Sequence, residues 1–247
     1  MSDQRSPFIS LVIPAYNEEG YLPALLDSLD VARDRYPGEV EIIVADNGST
    51  DETPNIAAKR GCCVVSVEKR MISAARNGGA AVATGEILCF VDADSRVHPE
   101  VFDRICNALT ERVVGGATGV RMERMSLGIG ITYGLMVPWV WLTGMDTGLV
   151  FCRREDFRRI GGYREDRLYS EDVHFMLSLR KLGKSRRPRQ RLVRVRSAKT
   201  ITSTRKFDRY GDWHYFWVVS RGFFGMFRPT KRSDRFAKKY WYDDQQR

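Results

Sequence analysis

The sequence predicts an α/β fold: a mostly parallel, Rossmann-like sheet flanked by helices, followed by a basic, aromatic C-terminal extension. Three observations predict it. Short apolar runs alternate with helical stretches through the N-terminal part of the chain. The runs are near-continuously apolar, as expected of parallel strands covered on both faces. Three of them end in polar clusters: Tyr16-Asn17-Glu18, Asp46-Asn47-Gly48-Ser49 and Asp92-Ala93-Asp94. Ligands of such sheets sit outside the carboxyl ends of the strands, so the three clusters should converge on one edge.

The first strand is expected at Phe8–Pro14, where Pro14 ends it and fixes the backbone. A helix follows over Tyr21–Arg35, then a strand at Glu41–Asp46 and a helix at Thr53–Arg60. Cys62–Val67, Ser73–Ala83 and Ile87–Val91 repeat strand, helix and strand. Further on, Pro99–Thr110 reads as a helix, Val113–Met122 as a strand, Gly148–Arg153 as a strand and Glu155–Ile160 as a short helix before Gly161-Gly162. Ser170–Leu182 has helical spacing through Val173, Met176, Leu177 and Leu179, with Ser170 as cap and Gly183 as stop. Leu192–Arg196 alternates apolar and basic residues, the pattern of an exposed-edge strand. Beyond Thr204 helical segments are expected.

At 247 residues the chain has room for one large domain with a real core. Its formal charge is +9, with basic residues concentrated in Lys181–Arg196 and again from Arg221 to Lys239. Such charge suits phosphates, nucleic acid or an anionic membrane, and does not choose among them. Five cysteines, Cys62 and Cys63 adjacent, form neither a disulfide framework nor a metal-ligand spacing, which points to reduced thiols and a cytoplasmic setting. No signal peptide is expected, because the apolar run Phe8–Ala15 is short, contains Pro14 and leads into acidic residues. Met125–Met145 carries no charge and is long enough for a membrane span, but Pro138 and four glycines argue against an uninterrupted helix. One simple crossing there would also put Asp92 and Asp94 on the opposite side from Glu171 and Asp172. A buried or interfacial wall is expected instead.

Asp92 and Asp94 end an apolar strand one residue apart. In extended geometry they point the same way and repel unless a cation sits between them. A hard divalent ion with spare water positions, Mg²⁺ or Mn²⁺, fits two carboxylates and can also hold a diphosphate. The plainer alternative is a polar turn capping the next helix. Tyr16 offers a ring for a nucleotide base, against packing beneath the first helix. Asp46 can accept a base N–H, against an Asx-turn into Gly48 that Asn47 could equally form. Arg76, on the helix preceding the Asp92 strand, could reach base or phosphate oxygens, against the solvated position usual for an isolated helical arginine. Glu171 and Asp172 suit the positive first turn of their helix, which also favours an ionised general base.

Taken in order, these segments resemble the catalytic domain of the inverting family 2 glycosyltransferases of the GT-A fold. The matching residues are Ser10-Leu11-Val12-Ile13-Pro14-Ala15-Tyr16-Asn17-Glu18-Glu19, Asp46-Asn47-Gly48-Ser49-Thr50-Asp51, Ala75-Arg76-Asn77-Gly78-Gly79, Asp92-Ala93-Asp94 and Gly161-Gly162-Tyr163 with Glu171-Asp172. The resemblance implies a GT-A domain over residues 1–203, a nucleotide-sugar half at 1–98 and an acceptor half at 99–203, with 204–247 as the extension. It implies a nucleoside-diphosphate-sugar donor contacted by Pro14, Tyr16, Glu18, Asp46, Arg76, Asp92 and Asp94. Uridine is favoured over guanosine, because relatives set an Asp against uracil at the Asp46 position. Asp94 is implied as the direct metal ligand, with Asp92 on the ribose or the metal shell, and Asp172 as general base, Glu171 its rival. Gly162 and Arg205 are implied near the acceptor or the diphosphate. A third metal ligand is not obvious, His174 and His214 being candidates.

The sequence lacks the Gln-x-x-Arg-Trp pattern of processive relatives, so single transfers to a hydroxyl acceptor are expected. A lipid-linked acceptor at the cytoplasmic face of an anionic membrane fits Trp139, Trp141 and the basic, aromatic stretch from Arg221 to Tyr242. Three rivals stand against this. A phosphate- or nucleic-acid-binding module explains the charge, but convergent carboxylates would repel a polyanion unless metal were bound. A sugar-nucleotide synthesising enzyme calls for a Gly-rich basic loop after the first strand, where this chain has Ala15-Tyr16-Asn17-Glu18-Glu19. A catalytically silent scaffold is the third.

Overall fold

The structure is a computed structural model and describes residues 7–143, 146, 148–166, 171–213 and 216. Its elements in order are β1 (Ile9–Ala15), α1 (Leu22–Arg35), β2 (Val40–Asp46), α2 (Thr53–Lys59), β3 (Cys63–Ser66), α3 (Ile72–Val82), β4 (Ile87–Phe90) and β5 (Ser95–Arg96). Then come α4 (Val101–Ala108), β6 (Val113–Met122), α5 (Leu127–Thr143), β7 (Val150–Arg153), α6 (Arg154–Ile160), α7 (Glu171–Ser185), β8 (Arg191–Thr202) and α8 (Arg205–Tyr210). The strands form one sheet in the order β3-β2-β1-β4-β7-β6-β8-β5. β1, β2, β3 and β4 pair in parallel, as do β6 and β8, while β7 runs antiparallel between β4 and β6.

Apolar residues cover both faces of this sheet. Leu11 and Ile13 of β1 pack with α1 and α4 on one side. Val12, Ile43 and Phe90 pack with α3, α6 and α7 on the other. The continuous apolar runs of the sequence are therefore two-sided strands, and their carboxyl ends share one edge.

Pro14 lies inside β1 instead of ending it. Alternation explains its tolerance: Val12 directs its carbonyl towards Val91 and Ala15 towards Asn47, so position 14 faces the β4 side, where pairing stops at Val12. No ladder bond is lost there.

Two expectations need correction. The strand expected over Leu192–Arg196 is β8, which runs for 12 residues and is not an edge, because β6 pairs along one side and the two-residue β5 on the other. Its polar residues are accommodated because β5 covers only its last positions, leaving Arg196 and Lys199 exposed. Likewise the uncharged stretch forms α5, a 17-residue helix, despite its glycines and Pro138. Packing overrides propensity here. Ile129 and Thr132 are buried, the Tyr133 hydroxyl donates to the Val120 carbonyl, and Gly128 lies against the Asp212 backbone. The remaining side is apolar yet exposed, through Leu127, Ile131 and Leu135 at successive four-residue steps.

At the opposite edge of the sheet, Glu41 ties β2 to the turn before β4. Its carboxylate accepts from the Ser10 hydroxyl, the Thr84 N–H and hydroxyl, and the Gly85 N–H. Burial pushes its pKa up, but these donors outweigh that and hold it below the ordinary carboxylate range. Its stabilising contribution is therefore present above the unfolded-state pKa and fades as pH falls through the folded one. Glu41→Ala is expected to cost about 1–3 kcal/mol at pH 7, with the deficit narrowing in acid. Urea unfolding of both proteins at pH 7 and pH 3 measures it, and an unchanged deficit at pH 3 rules the carboxylate out as the cause.

Candidate active site

Two interlocked loops form one wall of the site. Asn17 adopts a left-handed backbone (φ 52°). Its N–H donates to the Ser49 hydroxyl, and its side-chain oxygen accepts the Thr50 N–H at 2.8 Å. Glu18 N–H donates to the Thr53 hydroxyl, and Glu19 N–H to Asp51. The β1–α1 and β2–α2 loops are thus stapled together, which fixes Tyr16 and Asp46 on one ledge.

Both oxygens of Asp46 accept the Ser49 N–H, at 3.3 Å each, so Asp46 closes the turn through Gly48. Asn47 ties the loop to the end of β3, its amide nitrogen donating to the carbonyls of Val67 and Lys69. Tyr16 is half-buried, and the Arg70 guanidinium lies 4.2 Å from its ring centroid and also reaches its hydroxyl.

The end of β4 turns at once, with Ser95 N–H donating to the Asp92 carbonyl. Asp92 and Asp94 still alternate with buried Val91 and Ala93, so both face away from the core. They are not left to repel each other, because each meets its own arginine. Arg76 Nη2 lies 2.9 Å from Asp92, and Arg205 Nε lies 3.0 Å from Asp94. Arg205 also donates from both terminal nitrogens to the two oxygens of Glu18, at 2.7 Å each, and its guanidinium lies 4.7 Å from the Tyr21 ring centroid.

Arg76 is the second hub. It is only 4% exposed, and its Nη1 donates to Asp172 at 2.6 Å and reaches Glu171 at 3.4 Å. Three carboxylates from the end of β4 and the start of α7 therefore converge on one guanidinium. Beneath it lies the Tyr163 ring, 5.0 Å from the guanidinium and stacked 4.2 Å from Phe175. Asn77 holds that tyrosine in place: its side-chain oxygen accepts the Tyr163 N–H, and its amide donates to the Tyr163 carbonyl and to Glu165. Gly162 makes the turn with φ +73°, where a Cβ would sit 2.6 Å from the Asn77 oxygen. Its place is in the support of the site.

Burial governs the electrostatics. It pushes Glu171 up to about 7, with the Asp172 charge adding to the effect and Arg76 opposing it. Asp172 is raised as well, first by burial and then by Asp92, against the pull of Arg76 and the Tyr163 hydroxyl. Burial also raises Asp94 and Glu18, although Arg205 lowers both. Lys206, next to Arg205 on α8, is pushed down to about 8 by burial and by its arginine neighbour, while Asp94, Asp92 and Glu18 oppose this. A carboxylate raised even beside an arginine is short of positive charge, and the hard oxygens of Asp94 and Asp92 suit Mg²⁺ or Mn²⁺. Among the described residues no group of three or more metal-capable side chains is assembled. His174 lies on α7, half-buried. His214, Ser170 and the tail from Arg221 to Tyr242 fall outside the described residues.

The structure thus joins Glu18, Asp92, Asp94 and Arg205 in one cluster, and Arg76, Asp92, Glu171 and Asp172 in another, sharing the β4 end. Asn77 and Lys206 were not singled out from sequence. Asn77 stands inside a quoted motif, and only its hydrogen bonds to residues 86 and 88 positions away reveal its role.

This fold and this edge fit the glycosyltransferase class. The chain belongs to glycosyl transferase family 2, whose pattern it matches over residues 10–164. It is 26% identical over 212 residues to the validoxylamine A glucosyltransferase of Streptomyces hygroscopicus subsp. limoneus, a match covering 65% of this chain and 44% of that protein. It is 34% identical over 115 residues to the undecaprenyl-phosphate 4-deoxy-4-formamido-L-arabinose transferase of Aeromonas hydrophila, covering 44% of this chain and 35% of the relative. The chain therefore spans less than half the length of these two curated relatives. Its fold matches that of the mannosyltransferase PcManGT from Pyrobaculum calidifontis, solved with GDP-Man and Mn²⁺, at a TM-score of 0.63 and 20% identity. That match covers 80% of this chain and 57% of the other. The GT-A architecture expected from the sequence is thereby established.

Proposed function

We propose that this chain transfers a sugar from a nucleoside diphosphate to a hydroxyl acceptor, with inversion and with a divalent metal. The observation that carries the proposal is the meeting of Asp92, at the end of β4, with Asp172 across one buried guanidinium, in a member of this family. Asp94 and Asp92 would hold the ion, supported by their hard oxygen chemistry and by the Mn²⁺ bound in PcManGT. When bound, the ion offsets charge on the departing diphosphate.

The chain's own residues do the rest. Tyr16, Pro14 and Asp46 line the ledge on which a base would rest, and Asp46 offers an oxygen to a uracil N–H. Glu18 keeps Arg205 beside Asp94, within reach of a diphosphate. Asp172, ionised against Arg76, takes the proton of the acceptor hydroxyl as that oxygen attacks opposite the leaving group. Incubating the protein with a panel of UDP- and GDP-sugars and Mn²⁺ tests this. Release of one nucleoside diphosphate supports it, whereas salt-sensitive nucleic-acid binding with no donor turnover favours the phosphate-binding alternative.

We also place the acceptor at an anionic membrane surface. β6 runs parallel to β4, so α5 leaves the sheet at the catalytic edge and carries exposed Leu127, Ile131 and Leu135 there. Asp212 lies against Gly128, which brings exposed Trp213 beside the first turn of α5. An apolar stripe beside a tryptophan suits a water–lipid boundary. No described helix is long and apolar enough to cross a membrane. The protein is expected to float with anionic vesicles at low salt, and the triple change of Leu127, Ile131 and Leu135 to Ser should weaken this about tenfold or more. Failure to float, with full activity on a water-soluble acceptor, sinks the placement.

A further inference from the structure

We propose that Arg76 acts as a positioning residue for Asp172 and makes no contact with the donor. This rests on the proposed role of Asp172 as base. Family resemblance sets Arg76 among the donor contacts, yet its side chain is only 4% exposed, and both terminal nitrogens are engaged by carboxylates of this chain. Its remaining nitrogen, Nε, is buried without a partner and offers nothing to a ligand arriving from solvent. The solvent-facing member of the cluster is Asp92, whose side chain is 53% exposed, so an incoming donor meets Asp92 first.

The guanidinium is also aimed. Tyr163 supports it from below, Phe175 backs the tyrosine, and Asn77, the residue after Arg76 on α3, grips Tyr163 by both backbone polar groups. The arrangement fixes one oxygen of Asp172 against Nη1. A lysine would keep the charge but could not span Asp92 and Asp172 with a planar fork.

The test is a double-mutant cycle read in two ways. Arg76→Lys, Asp172→Asn and the double variant are assayed for kcat with saturating donor, and for UDP or GDP affinity by calorimetry with Mn²⁺. Arg76→Lys should lower kcat about tenfold or more and leave the nucleotide Kd within about threefold. Its effect should largely vanish in the Asp172→Asn background, because both changes disable one unit. Asn77→Ala, which loosens the tyrosine support, should show the same non-additivity in milder form and serves if Arg76→Lys does not fold. A weakened nucleotide Kd with normal kcat, or additive losses in the cycle, overturns the positioning role while leaving Asp172 as base. An Asp172→Asn protein with full activity removes the base itself and the inference with it.

Discussion

Asp94→Ala is expected to abolish glycosyl transfer and to weaken metal-dependent nucleotide binding, with the fold retained. Three features set this expectation. Asp94 lies just beyond the end of β4, after Val91-Asp92-Ala93, at the edge where β1 and β2 also end, so any ligand of the sheet passes it. Its carboxylate is raised by burial despite Arg205, and a divalent ion would relieve that shortage of positive charge. Truncation removes one oxygen ligand and no core packing, while Arg205 keeps its two bonds to Glu18, so global stability should change little. Circular dichroism checks the fold, and calorimetry with UDP, with and without Mn²⁺, checks binding. Wild-type turnover by this variant, or undiminished activity of the native protein in excess chelator, would exclude the metal role.

Asp172→Asn keeps the shape of the side chain and its contact with Arg76 but cannot take a proton. Catalysis should fall on the order of 10²–10⁴-fold, with donor affinity nearly unchanged. The pH profile supplies an independent check. Burial raises both Asp172 and Glu171, the latter to about 7, so protonation sets in at a higher pH than for ordinary carboxylates. Activity should therefore decline on acidification along a limb shifted above the ordinary aspartate range, and that limb should disappear from the residual activity of the Asn variant. The stability sign is opposite. Raised carboxyls stabilise the fold most fully below their unfolded-state pKa and lose that contribution as pH rises through the folded value. Acid should thus switch the site off before this pair unfolds anything. If Glu171→Gln shows the catalytic pattern and Asp172→Asn is nearly silent, the base is the neighbouring residue.

Much of this was legible from the sequence because the strands are buried on both faces. Ile9–Val12 and Ile87–Phe90 read as strands by composition alone, and the carboxylates terminating β4 stand out against that apolar background. Two-sided burial also fixed which strand ends would meet. Long-range pairing was not legible. Family resemblance sets Arg76 among the donor contacts, and nothing local ties it to Glu171 and Asp172, which are 95 and 96 residues away. No local spacing encodes such a contact. α5 failed for a different reason: intrinsic propensity disfavours its glycines, and the buried contacts of Ile129, Thr132 and Tyr133 that compensate are tertiary. β8 was recognised by its alternation, but its length and neighbours depend on the short β5 folding back across it.

The reach of Arg205 has a consequence for where this site begins and ends. The family pattern covers residues 10–164, and the helix bearing Arg205 lies 41 residues beyond it. Trimming the chain to that pattern would strip away α7 with Asp172 as well as α8, leaving Glu18, Asp92 and Asp94 as three neighbouring anions with Arg76 as their nearest cation. The recognisable module is in that sense an unbalanced half-cell. The cation that pairs with Glu18 and Asp94 comes from downstream, from a residue whose two bonds to Glu18 span 187 positions of chain.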